Sequence, residues 1–193
     1  MVETHISLSV NRLLNEDTYA IPLYQRNFAW TYDEIEQLLN DVADAFQENR
    51  ENRENRDNYY YIGTLVVNKE KDIFKIIDGQ QRTTALNLIA LALKHEFGFD
   101  RLKAVNLNFP ARKKSNKNIK DLFAKQEISE DDENELTRGY RHAYDALKKM
   151  LEERQFESES FFNYLFDNVI IFRSILPNDL DLNLYFERFN SRG

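Results

Sequence analysis

Between an apolar run that ends at Ile77 and a long apolar pattern that starts at Ala85 sits DGQQRTT, residues 78–84. These are the residue types that handle anions. A strand, a glycine turn and a helix start leave backbone N–H groups without partners, and the helix dipole adds positive charge there. Phosphate binds well in such a place. Gly79 lets a ligand come close to the backbone. Gln80, Gln81 and Arg82 add donors, and the Arg82 guanidinium can fork onto two phosphate oxygens. Thr83 and Thr84 add hydroxyls, or one of them caps the helix. Asp78 can hold a metal ion or orient a water. The alternative is architectural, with Asp78 as the helix cap and the glutamines satisfying buried backbone groups.

Two other stretches share this character. IPLYQRNFAW (21–30) sets Gln25 and Arg26 among Tyr24, Phe28 and Trp30, aromatics that read first as loop anchors. The last residues, Asn190, Ser191, Arg192 and Gly193, form another polar, glycine-bearing turn after an apolar segment. Three polar stretches, each beside a buried element, suggest one composite, anion-seeking site around Arg26, Arg82 and Arg192. The glycine spacing is neither a Walker loop nor a dinucleotide fingerprint. His5, His95 and His142 are scattered without ligand spacing, which argues against a zinc site or a histidine-based nuclease motif.

The elements that must position these residues can be read from periodicity. Residues 5–15 read as a short amphipathic helix. Pro22 pushes Ile21 towards an extended conformation, so 19–30 reads as a short strand and then a loop. Thr31 and Glu34 form a capping box that opens a helix with Ile35, Leu38, Leu39, Val42, Ala45 and Phe46 on one face. The acid-amide-arginine repeat at 48–58 has no apolar face and reads as a solvated connector. Residues 59–79 read as a β-hairpin whose two nearly continuous apolar runs are covered on both faces. A central helix is predicted over Thr83–Phe97, a short strand over 106–110, helices over 115–168, a strand over 168–176 and a short helix over 181–190.

The 193 residues are enough for one domain with a real core. No apolar run reaches membrane-span length, and the absence of cysteine excludes disulfides and thiolate sites and fits a reducing cytoplasm. The net charge of −7 is not that of a dedicated nucleic-acid binder. PARKKSNKNIK (110–120) is basic and EISEDDENE (127–135) acidic, a pattern of two solvated faces first and of a phosphate-tracking surface second.

The motif order resembles a known family: I-P-x-Y-Q-R-x-[FY]-x-W, then Y-x-I-G-[TS], then D-G-Q-Q-R-[TL]-T, then F-E-x-x-N-x-R-G. It is similar to the GmrS-like N-terminal domain of GmrSD-type, modification-dependent restriction systems of bacterial defence. The resemblance implies an α+β, ParB/sulfiredoxin-like fold: a small mixed sheet with surrounding helices and a helical insert. It implies one domain, with an α/β part at 1–110, an insert at 111–167 and a return strand with the closing motif at 168–193. It also implies the N-terminal fragment of a longer protein. Expected partners are a nucleoside triphosphate, DNA (weakly, through the full-length protein) and a C-terminal nuclease domain or subunit, with no membrane. Carried over by residue, Asp78, Gly79, Gln80, Gln81 and Arg82 form the phosphate centre, with Asp78, Gln80, Gln81 and Arg82 catalytic. Tyr24, Gln25, Arg26 and Thr83 line the pocket, and Asn190, Arg192 and Gly193 close it. Mg²⁺ or another divalent ion is expected on Asp78. A nucleotide- or DNA-phosphate-binding switch without turnover is the competing class, and a nuclease in its own right a third.

Overall fold

The computed structural model describes residues 4–52, 58–179, 181, 184 and 187. Six strands form one mixed sheet in the order β1-β6-β3-β4-β2-β5. They are β1 (His5–Ser9), β2 (Thr18–Ala20), β3 (Tyr60–Glu70), β4 (Ile73–Asp78), β5 (Leu107–Asn108) and β6 (Val169–Leu176). The helices are α1 (Val10–Asn15), α2 (Tyr32–Glu51), α3 (Gln80–Glu96), α4 (Lys113–Phe123), α5 (Glu135–Arg154) and α6 (Ser158–Asp167). No helix among the described residues is long and apolar enough to cross a membrane.

The mixed α+β architecture matches the expectation, but the start of the chain does not. Residues 5–9 are a strand, and the helix begins only at Val10. Ile6 and Leu8 alternate with Ser7 and Ser9, a period of two, and β1 pairs antiparallel with β6 from His5↔Ser174 to Ser9↔Ile170. The Ser9 hydroxyl then accepts the Arg12 N–H and caps α1. The strand pairing overrides the helical reading of the apolar set.

The hairpin forms as predicted, β3 and β4 pairing antiparallel around Lys71 and Asp72. Its coverage is uneven. Ile76 and Ile77 are both buried, whereas Tyr61, Gly63 and Thr64 at the start of β3 are exposed. The register Val66↔Asp78 explains this: β3 overhangs the end of β4 by several residues. Along the overhang β3 runs parallel to β6, with a bulge between Tyr61 and Gly63. β2 runs parallel to β4, so their C-terminal ends open on the same side of the sheet.

α3 begins three residues before the predicted Thr83, because Gly79 at φ 98° turns the chain directly from β4 into a helix whose first turn is Gln80–Arg82. From Thr83 to Leu93 every residue of α3 is buried, as the all-round apolar pattern requires. α5 packs across both α3 and α2, and Gly139 lies close against Leu88 of α3 and Phe28. A Cβ there would stand 2.6 Å from Phe28 Cε1 and 2.7 Å from Leu88 Cδ1. The segment expected as an insert therefore contributes Leu136, Ala143, Leu147 and Met150 to the same core as Leu8, Ile35 and Leu86. Most of the predicted helix at 181–190, and residues 53–57 of the 48–58 connector, lie outside the described residues.

Candidate functional site

The loop between β2 and α2 is held by three side chains from three places. Gln25 donates through Nε2 to the Ile77 carbonyl at 2.7 Å, which seats the loop on the end of β4. Gln81, in the first turn of α3, accepts from Ala29 N–H at 2.7 Å and donates to the Asn27 carbonyl at 3.0 Å. Arg112, just before α4, donates to the carbonyls of Leu23 and Gln25. With Phe28 buried against α5, the loop is a fixed platform. Tyr24 and Arg26 stand out from it into solvent. Partial burial raises the Tyr24 phenol above its ordinary value, and the Lys75 ammonium opposes that shift.

Gly79 has two reasons to be glycine. Its φ is in the left-handed region, and a Cβ would lie 3.1 Å from the Thr64 carbonyl oxygen and 3.2 Å from Leu65 Cδ1. The close approach is made by β3. Helix α3 is capped by Gly79 itself, so Asp78 is not the N-cap. Among the described residues the Asp78 carboxylate has no hydrogen bond or ion pair, and it is half-buried at the strand end. Gln80 is likewise half-exposed with no side-chain hydrogen bond.

Two residues expected to touch a ligand are placed otherwise. The Gln81 amide is engaged at both ends by the loop, and only 8 % of the residue is exposed. Thr83 is 1 % exposed, and its buried hydroxyl has no hydrogen-bond partner. As they stand, neither presents a group to a ligand. The architectural reading of the glutamines is right for Gln81, which satisfies loop backbone. Asn190, Arg192 and Gly193 lie outside the described residues.

Arg82 leads to residues that the sequence reading left unassigned. Its guanidinium lies against Gly63 in the β3 overhang: a Cβ on Gly63 would be 2.5 Å from Nη1 and 3.2 Å from Cζ. Gly63, at φ 130°, is thus the seat of the arginine. Arg82 there lines a pocket of about 270 Å³ with Trp30, Tyr60, Tyr61 and Ile62, walled on the α2 side by Glu34, Gln37 and Asp41. Among the described residues no hydrogen bond or ion pair engages Arg82. The Tyr60 phenol registers both charges. Burial raises its pKa first, Asp41 raises it further and Arg82 lowers it. Glu34 stays ionised below its ordinary range because the Thr31 hydroxyl and N–H donate to it. The sequence did carry a signal for this pocket in Y-x-I-G-T, which is Tyr60–Thr64.

Three motifs far apart in the chain therefore meet here. Trp30 ends the first, Tyr60, Ile62 and Gly63 belong to the second, and Arg82 ends the D-G-Q-Q-R turn. Residues 10–193 match the family described as GmrSD restriction endonuclease, N-terminal domain. The chain belongs to that family. Membership covers all but the first nine residues and supports a role in restriction. No curated protein sequence matches the chain. In GmrSD terms, the motif-bearing elements are β2 with its loop, the β3 overhang and the β4–α3 turn.

A metal ion would have to be held by few protein groups. Among the described residues no cluster of three or more His, Asp or Glu is placed for one. A carboxylate that has no partner among the described residues, as Asp78 has none, fits Mg²⁺, which commonly uses one or two carboxylates together with phosphate oxygens and water. The remaining basic and acidic runs face each other. Lys117 pairs with Asp121 and Asp132, Lys114 donates to the Asp131 carbonyl, and Arg141 pairs with Glu133.

Proposed function

We propose that this domain binds a nucleoside triphosphate and hydrolyses it, as the regulatory part of a cytoplasmic, modification-dependent restriction system that controls a nuclease domain. The observation that carries this reading is the seat of Arg82. A guanidinium with no hydrogen-bond or ion-pair partner among the described residues, held over a glycine in a pocket built by three motifs, suits an anion. Phosphoryl transfer needs positioning and charge neutralisation more than covalent chemistry from the protein. Arg82, joined by the exposed Arg26, neutralises the phosphates. Gln80, the glutamine whose amide is not engaged, orients the attacking water. Asp78 holds a divalent ion, which when bound supplies further charge neutralisation at the phosphate oxygens. Gln25 and Gln81 keep the loop and the turn in register. DNA and the nuclease domain engage through the full-length protein.

The test is calorimetric titration of the chain with GTP, ATP and CTP in Mg²⁺, beside Arg82→Ala and Gln80→Ala. Arg82→Ala should weaken binding by about tenfold to a hundredfold, the range for losing a charge-assisted hydrogen bond. Gln80→Ala should leave affinity nearly intact and slow phosphate release by the full-length protein. Affinity unchanged in Arg82→Ala sinks the phosphate assignment. Unchanged phosphate release in Gln80→Ala removes that residue's role.

A further inference from the structure

The pocket around Arg82 has a second wall that the phosphate reading does not use. Glu34, Gln37 and Asp41 occupy positions i, i+3 and i+7 of α2 and so form one stripe facing the pocket. Hydrogen bonding fixes what this stripe offers. Gln37 donates its Nε2 to Asp41 Oδ1 at 2.7 Å. A carboxylate only accepts, so the Gln37 amide nitrogen must point to Asp41 and its carbonyl oxygen is left facing outward. Glu34 takes the Thr31 N–H and hydroxyl on Oε2. What remains on the two carboxylates is Glu34 Oε1 and Asp41 Oδ2, which only accept, while Gln37 keeps Oε1 and one amide hydrogen.

The rest of the pocket is aromatic. Trp30, Tyr60 and Tyr61 line it with Ile62 and Leu38, and Arg82 supplies the positive end. At about 270 Å³ the pocket is just below the range for ligand sites, roughly 300–1,000 Å³. It has room for part of a nucleotide, with the remainder outside. Flat aromatic sides favour a nucleobase, since base–aromatic stacking is worth about 1–3 kcal/mol. The acceptor-only Asp41 carboxylate selects which base. Guanine presents N1–H and its exocyclic amino group side by side, two donors for one carboxylate. Adenine and cytosine set an acceptor nitrogen beside their amino group, and uracil flanks its one N–H with carbonyls. Each of these puts a lone pair against the second oxygen of the Asp41 carboxylate.

From this we propose that the α2 wall of the pocket is a base-reading subsite for guanine, with Asp41 as its principal acceptor. The proposal rests on the nucleotide-binding reading and names the substrate class of that site. Arg82 and Asp41 stand on different walls of one pocket, so one ligand with an anionic end and a donor-rich edge satisfies both.

The experiment is titration of the whole chain with GTP, ITP, ATP and UTP in Mg²⁺, for the unmodified protein and for Asp41→Asn, with Arg82→Ala as control. GTP is expected to bind about tenfold or more tightly than ATP and UTP, with ITP, which lacks the amino group, between them. Asp41→Asn should bring GTP down to the level of ATP while leaving ATP unchanged. Asp41 is on the surface side of α2, and circular dichroism confirms that the variant folds. Equal affinities for all four nucleotides in the unmodified protein overturn the base subsite but leave the phosphate site standing. So does a GTP preference that survives in Asp41→Asn. Binding of none of them overturns both readings.

Discussion

At the scale of single residues, the site is defined as much by glycines as by charges. Gly63 looks dispensable in a strand, where glycine weakens packing. Its place under the Arg82 guanidinium gives it a purpose, because a methyl group there would meet Nη1 at 2.5 Å. The arginine end is flexible and can move away, so the steric cost itself is small. The cost lies in where it moves and in the backbone, which holds φ at 130°. Gly63→Ala should therefore lose about 1–3 kcal/mol of stability from the strained φ. It should also lose triphosphate affinity to about the extent of Arg82→Ala. Urea unfolding and the same titration check the two parts separately. A variant that is destabilised yet binds normally would show that Arg82 acts from some other position. The contrast between Gln80 and Gln81 belongs to this scale as well. Adjacent residues of identical type stand a third of a helical turn apart, and only one is claimed by the loop.

At the scale of elements, the site rests on a loop pinned between the end of β4 and helices α3, α4 and α5. Gln25 fixes it to β4, Gln81 to α3 and Arg112 to the approach of α4, while Phe28 packs under α5 at Gly139. This coupling predicts that a change on α5 reaches the site. Gly139→Ala puts a Cβ 2.6 Å from Phe28 and 2.7 Å from Leu88. Overpacking of this kind costs typically 1–3 kcal/mol. Since Phe28 sits between Asn27 and Ala29, its displacement should loosen the Gln81 contacts. The expected result is a lower melting temperature together with faster proteolysis in the 23–30 loop. Faster melting without loop cleavage would mean that α5 moves and the loop does not. Much of this scaffold was legible in the sequence where local chemistry is strong: the Thr31–Glu34 capping box, the hairpin and the all-apolar α3. The β1 strand was not, because five residues that also fit a helical stripe are decided by a partner in β6, 161 residues on at Ser9↔Ile170 and 169 at His5↔Ser174. The Arg82 pocket was legible only as three separate motifs. Which of their side chains face one cavity depends on the bulge at Gly63 and on α2, whose acids look in sequence like ordinary surface charge.

At the scale of the whole molecule, stability should depend on pH through two different sets of groups. On the acid side, Glu34, Glu70, Glu133 and Glu157 are all held below their ordinary range, first by hydrogen bonds from Thr31, Lys75, Arg141 and Ser160 respectively. A lowered carboxyl pKa contributes stability above the unfolded value of 4.5 and loses it as pH falls through the folded values. These carboxylates are exposed, so the loss is shallow and weakened by salt. The alkaline side is set by a buried network in which Arg173 on β6 reaches over the Phe74 ring, 4.1 Å from its centroid, to Asp17 at 2.7 Å and the Tyr19 hydroxyl at 2.8 Å. Burial pushes the Tyr19 phenol from 10.0 up to about 12, against the lowering pull of Arg173. The folded state then keeps a proton that the unfolded chain releases, so stability is complete below pH 10 and falls as pH rises towards 12. Two pH units correspond to about 3 kcal/mol. The urea midpoint should be nearly flat between ~pH 5 and 8 and fall steeply in alkali. Tyr19→Phe keeps the ring against Phe74 and the Arg173–Asp17 pair, so it should make the alkaline limb shallower, with Tyr32 and Tyr140 carrying the rest, and leave the acid limb as it was. An alkaline limb of the same steepness in Tyr19→Phe would place the titrating group elsewhere. The raised phenols of Tyr32 and Tyr140, each partly desolvated and donating to Glu36 and Glu96, would then be the next to substitute.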